Sequence, residues 1–171
     1  MRYSRQAEKE QYQQKYSQLN DQQRSAFDTI CHAVDSGSDN SHFFLQGPAG
    51  TGKTFLYNTL CHYYRRQGKI VLCVASSGIA ALLLPGGRTS HSRFNIPLLI
   101  NEDSMCHIKK NTNLGRLISN TTLVIWDEVP MQHRYCFEAV DRSLRDLLDS
   151  PDSLFGGLPF VLGGDFAQIP P

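Results

Sequence analysis

The chain reads as an α/β protein, a parallel sheet flanked by helices. Three observations predict this. Apolar runs of strand length recur in "HFFLQ", "KIVLCVAS", "TTLVIWDE" and "LPFVLGGD". The stretches between them carry apolar residues at helical spacing. The first run leads straight into a glycine-rich turn and a helix, "GPAGTGKTFLYNTL". Continuous rather than alternating apolar runs belong to strands buried on both faces, and strands alternating with helices give a parallel sheet whose ligands gather at the strands' carboxyl ends.

Taken in order, residues 1–18 are rich in Gln, Glu, Lys and Arg, with Tyr3, Tyr12 and Tyr16 as the large apolar bodies. They are expected to form a frayed, solvated polar lead-in. Asn20 can cap a helix running through Phe27, Ile30 and Val34, and the polar residues 35–41 then form a loop. After the strand at 42–46, residues 55–67 place Leu56, Leu60 and Tyr63 at helical spacing and close on Arg65, Arg66 and Gly68. The second run is followed by "SSGIAALLL" and the third by "CFEAVDRSLRDLLDS". The latter is amphipathic through Val140, Leu144 and Leu147 or Leu148, with Glu138/Arg142 and Asp141/Arg145 as (i, i+4) pairs.

A chain of 171 residues with 40% hydrophobic and 19% charged residues suits one domain with a proper core. It has neither a run of 18 apolar residues nor an apolar segment behind a basic N-terminus, so an intracellular protein without a membrane partner is expected. The balance of 17 Lys+Arg against 16 Asp+Glu gives +1, too little for an overall grip on nucleic acid, so any such contact must be local. Five cysteines without a C-x-x-C pair suit reduced thiols, and the Cys-His neighbours at 31–32, 61–62 and 106–107 lack zinc spacing.

The chemistry concentrates at the strand ends. Gly47, Gly52, Lys53 and Thr54 complete G-x-x-x-x-G-K-[ST]. Glycines let successive backbone N–H groups converge on a phosphate at the positive end of the following helix. Lys53 can reach the outer phosphates, and the Thr54 hydroxyl suits Mg²⁺. Between strand and helix, this loop reads as a nucleoside triphosphate cradle. Asp127, leaving the third apolar run, can hold Mg²⁺ through water, and Glu128 can orient or deprotonate an attacking water. Gln168, after the fourth run, offers a neutral amide that can sense a γ-phosphate. Ser76, Ser77 and Gly78 present hydroxyls and a helix start suited to a nucleic-acid phosphate. "GGRTSHSRFNIP" mixes Arg88, His91, Arg93 and Phe94 in the manner of single-strand binding surfaces. Residues 86–116 hold five Lys or Arg against Glu102 and Asp103, hence +3. By themselves these residues fit a solvated basic loop equally well.

"LNDQQ", "GPAGTGKT", "ASSGIAALLLPGGRTSHSRF", "DEVPM" and "GGDFAQIPP" resemble, in order and spacing, the early motifs of the Pif family of superfamily-one DNA helicases, most nearly the branch carried by Helitron-type mobile elements. The resemblance covers residues 19–171. It implies a RecA-like phosphate-loop NTPase lobe with ATP and Mg²⁺ as cofactors. Gln23 would read adenine, while Gly47, Pro48, Ala49, Gly50, Thr51, Gly52, Lys53 and Thr54 would cradle the nucleotide. Thr54 and Asp127 would serve the metal, Glu128 the water, and Gln168 the coupling of nucleotide state to DNA. Ser77, Gly78, His91 and Phe94 would lie near single-stranded DNA. The family moves 5′ to 3′ on single strands and opens duplex junctions in repair, recombination and telomere maintenance, which implies a nuclear address. It carries a second motor lobe with a phosphoryl-stabilising arginine after this point, so residues 19–171 look like the first lobe alone, inactive in isolation. Trp126 and Pro130 depart from the commonest family form and are expected to alter packing rather than chemistry. Two other readings stay open: another phosphate-loop enzyme such as a small-molecule kinase, and a mobile-element remnant that binds nucleotide without turnover.

Overall fold

Every strand of the sheet is parallel, and the reason lies in what covers it. The structure, a computed structural model, describes residues 4–47 and 52–165. Strands β1 (His42–Gln46), β2 (Ile70–Ala75), β3 (Arg88–Thr89), β4 (Thr121–Asp127) and β5 (Phe160–Gly164) stand in the order β1-β5-β4-β2-β3. Alternate residues feed two separate cores. Val71, Cys73, Ala75, Leu123, Ile125 and Val161 meet one set of helices, whereas Leu72, Val74, Val124, Trp126, Phe160 and Leu162 face the other. Covering both faces leaves no position for a solvated side chain, which is why the runs read as uninterrupted apolar sequence. Each fully buried Leu, Ile or Phe contributes about 1.5–3 kcal/mol of transfer free energy.

The first face is covered by α1 (Arg5–Ser17), α2 (Asp21–Asp35), α3 (Lys53–Arg65) and the short α4 (Gly78–Leu82). Asn20 caps α2 as its sequence indicates: its side chain accepts from Gln23 N at 2.8 Å while Gln23 Oε1 accepts from Asn20 N at 2.9 Å, a reciprocal capping box. The second face is covered by α5 (Ser90–Phe94), α6 (Asn113–Ser119) and α7 (Arg134–Leu147). In α7, Val140, Leu144 and Leu147 are buried and Arg145 Nε meets Asp141 Oδ1 at 2.9 Å. Arg142 does not turn to Glu138; its guanidinium donates instead to Ser104 O at 2.8 Å, anchoring the long connection before α6.

The N-terminal segment corrects the expectation of a frayed lead-in. Ser4 caps α1 by accepting from Ala7 N at 3.3 Å. Tyr12 and Tyr16, one turn apart, lay their rings against Phe27 at centroid distances of 6.0 and 5.3 Å, and Tyr12 reaches Tyr63 of α3 at 5.2 Å. Arg66 spans the same cluster, 4.9 Å from the Tyr12 ring centre and 4.7 Å from that of Tyr63. Glu8, one turn earlier, is buried against His62. The stripe is helical, but it is built from amphipathic tyrosines and a buried carboxylate rather than aliphatic residues.

All five cysteines are buried free thiols. Burial pushes Cys31 up to about 12 and Cys106 to about 11, so both stay protonated and inert. Two cysteines that look scattered in sequence, Cys61 on α3 and Cys73 on β2, meet with their Sγ atoms 3.3 Å apart.

Candidate nucleotide site

Because the strands are parallel, their carboxyl ends form a single edge. Gln46 pairs with Gly164, Trp126 with Leu162 and Ala75 with Asp127, so the four strand ends at which the clusters were predicted lie side by side. Gly47 N donates to Gly164 O at 3.1 Å, continuing the β1–β5 pairing into the glycine-rich turn. At the turn's far end Gly52 has φ +84°, a left-handed conformation that glycine adopts without penalty. A Cβ there would lie 2.3 Å from Gln23 Nε2, which donates to Gly52 O at 3.2 Å. Gln23 thus ties α2 to the turn rather than standing apart from it. Lys53 opens α3, and its Nζ donates back to Gly47 O, so the ammonium lies across the mouth of the turn. Thr54 follows, half-buried, in the first helical turn. Pro48, Ala49, Gly50 and Thr51, and Gln168 beyond β5, fall outside the described residues.

Asp127 ends β4, and its Oδ1 accepts from the phenol of Tyr57 at 3.0 Å. Burial, and then the adjacent Asp127 carboxylate, push the Tyr57 phenol far above its ordinary value, so it remains a donor. Glu128 bends away from the strand with φ +57°. A non-glycine residue held there costs about 1–3 kcal/mol, which the surroundings must offset. They do so at both ends: Ser76 Oγ donates to Glu128 O at 2.8 Å, and Ser77 donates to Glu128 Oε1 through its N–H at 3.0 Å and its hydroxyl at 2.7 Å. The glutamate is therefore aimed by the carboxyl end of the neighbouring strand β2. Among the described residues no cluster of three His, Cys, Asp or Glu could cage a metal. Thr54 and Asp127 fit instead a cation that keeps most of its waters and takes few protein ligands, as Mg²⁺ does.

The residues expected near single-stranded DNA divide. Ser77 is committed to Glu128 and also caps α4, accepting from Ala80 N at 3.2 Å. Gly78 faces open space, and His91 is half exposed on α5. Phe94 is fully buried, its ring stacked on Trp126 at 5.6 Å, so its aromatic face belongs to the second core and offers nothing to a base. The physical reason is the helical turn: residues 90 and 94 share the inward face of α5, leaving His91 and Arg93 off it. The apparent basic loop is partly spent as well, since Lys110 pairs with Asp149 at 2.7 Å and the Arg116 guanidinium donates to Asn113 Oδ1 at 2.7 Å and to Asn111 O at 3.1 Å. Tyr57 and Gly163 are site residues that sequence reasoning missed, and Ser76, expected at a nucleic-acid phosphate, holds the Glu128 carbonyl instead. The paired glycines inside "FVLGG" were the available signal, since glycine within a strand marks a close approach.

A parallel sheet with a glycine-rich turn ahead of Lys53-Thr54, and an acidic pair at the end of another strand on the same edge, defines a RecA-like lobe of the phosphate-loop NTPase class. The family model for PIF1-like helicases matches residues 18–171, and the chain belongs to that family. It is 33% identical over 141 residues to an ATP-dependent DNA helicase Pif1 of Psychrobacter sp., spanning 81% of this chain and 21% of that protein. It is 35% identical over 135 residues to the enzyme of that name from Campylobacter jejuni, spanning 75% of this chain and 28% of the relative. Among solved structures, Bacteroides Pif1 bound to single-stranded DNA superposes with TM-score 0.73 at 31% identity, over 90% of this chain and 33% of its own. The complex of Bacteroides Pif1 with ADP-AlF4 gives 0.72 at 31% identity. The chain thus corresponds to about a fifth to a third of these relatives.

Proposed function

We propose that this chain is the first motor lobe of an ATP-dependent 5′-to-3′ DNA helicase, binding Mg-ATP at the carboxyl edge of its sheet and single-stranded DNA alongside. The observation that carries the reading is the convergence of Lys53, Asp127 and Glu128, with Glu128 fastened to Ser77, the residue expected at the DNA. Lys53 offsets charge on the outer phosphates, and Thr54 and Asp127 hold Mg²⁺ and its waters. With Glu128 Oε1 held by the two Ser77 donors, the other carboxylate oxygen orients and deprotonates the attacking water. Bound Mg²⁺ supplies charge neutralisation to the phosphates. Relatives solved with single-stranded DNA and at forked duplex DNA support a DNA partner, and one with ADP-AlF4 supports the nucleotide. Repair, recombination and telomere maintenance, a nuclear address and the Helitron-like branch are extensions of the same reading.

Titration of the chain with a fluorescent ATP analogue tests the nucleotide part. Lys53→Ala is expected to lose most of the affinity with its melting temperature nearly unchanged, because the ammonium lies at a turn and not in the core. Equal affinity in the folded variant removes the assignment.

A further inference from the structure

We propose that Tyr57 is a positioning residue of the nucleotide site, holding the Asp127 carboxylate for Mg²⁺, and that residue 163 is glycine so that the phenol can pass. The proposal rests on the reading of Asp127 given above. Tyr57 stands four positions after Lys53 on α3, so the helix that presents the ammonium to the phosphates carries the phenol on the same side one turn on. The side chain is fully buried and its hydroxyl reaches over β5 to Asp127 Oδ1 at 3.0 Å. A Cβ at position 163 would lie 1.6 Å from the Tyr57 hydroxyl oxygen, 2.9 Å from its Cζ and 3.0 Å from Asp127 Oδ1. The hydroxyl therefore occupies the volume that any side chain at 163 would need, and no other residue fits there without moving either the phenol or the carboxylate.

The consequence is orientational. A carboxylate at the end of a strand can turn about its last bond, and one oxygen fixed by a buried donor stops that rotation and leaves the other oxygen for the metal's waters. Partners of this kind are typically worth about 10- to 100-fold in metal affinity when removed. A tyrosine serving only as core filler would be replaced by phenylalanine at a modest cost in stability and none in metal response.

Binding of a fluorescent ATP analogue to the chain, followed in EDTA and across a magnesium titration, separates these cases. Tyr57→Phe is expected to bind nucleotide in EDTA as the parent does, while the magnesium midpoint rises about tenfold. Gly163→Ala should give the same rise with a larger fall in melting temperature. The double variant should be no worse than Gly163→Ala alone, because the atom nearest the new methyl is gone. An unchanged magnesium midpoint in folded Tyr57→Phe overturns the proposal and leaves a core tyrosine. Should Tyr57→Phe fail to fold, the same midpoint in Gly163→Ala as in the parent overturns it equally. A parent chain whose nucleotide binding ignores magnesium removes the metal reading of Asp127 first, and this inference with it.

Discussion

Glu128 is held in a conformation that disfavours every residue but glycine, and three hydrogen bonds from Ser76 and Ser77 keep it there. A carboxylate aimed this way suits a general base, whose removal usually costs about 10²- to 10⁴-fold in rate. Glu128→Gln keeps an oxygen that can accept both Ser77 donors, so it should fold and bind Mg-ATP as the parent does. In a chain that includes the second lobe, its single-turnover hydrolysis should fall by about that factor. Unchanged turnover would move the base elsewhere. Lys53, Asp127 and Glu128 could be singled out from the sequence because residue type at a fixed spacing after an apolar run is visible there. Tyr57 could not, because its partner is 70 positions away and its place in the α3 stripe looks like ordinary core. Phe94 was misplaced for a related reason: an aromatic residue among arginines fits a base-stacking surface and a buried helix face alike, and burial decides between them.

At the scale of elements, the sheet was readable because both of its faces are covered, which leaves long apolar runs. β3 was not, since two residues carry no periodicity. The first helix was hidden by its composition. Its inward face is Tyr12, Tyr16 and Glu8, and hydropathy registers none of them as core, although the two rings close over Phe27 and Tyr63. A helix docked in this way contributes to stability, whereas a frayed tail does not. Tyr12→Ala should therefore lower unfolding free energy by about 1–3 kcal/mol, read from urea denaturation. Nucleotide affinity should remain, since the cluster lies away from the strand ends. A midpoint identical to that of the parent would mean that α1 does not hold to the body in solution.

The whole molecule sets a glycine-rich turn, the Asp127 carboxylate and an aimed glutamate along a single edge of one sheet, with nothing opposite them among the described residues. Phosphoryl transfer depends on positioning and on stabilising charge at the transferring group, and an arginine supplied from a facing surface is typically worth about 10³ to 10⁵ in rate. Unwinding also demands two bodies that close and part with each nucleotide, so that the grip on a strand alternates, and one α/β lobe has no second body to move against. The relatives this chain matches are about three to four times its length, which leaves room for such a body in them. Purified residues 1–171 are therefore expected to bind Mg-ATP weakly and hydrolyse it near background. They should leave a forked duplex intact, with hydrolysis and strand separation emerging together when the chain is joined to the second lobe of a relative. Phosphate release and strand displacement by the 171-residue chain, measured with and without oligodeoxythymidine, decide the matter. DNA-stimulated unwinding by this lobe alone would show that the charge stabilisation and the moving part both reside within it.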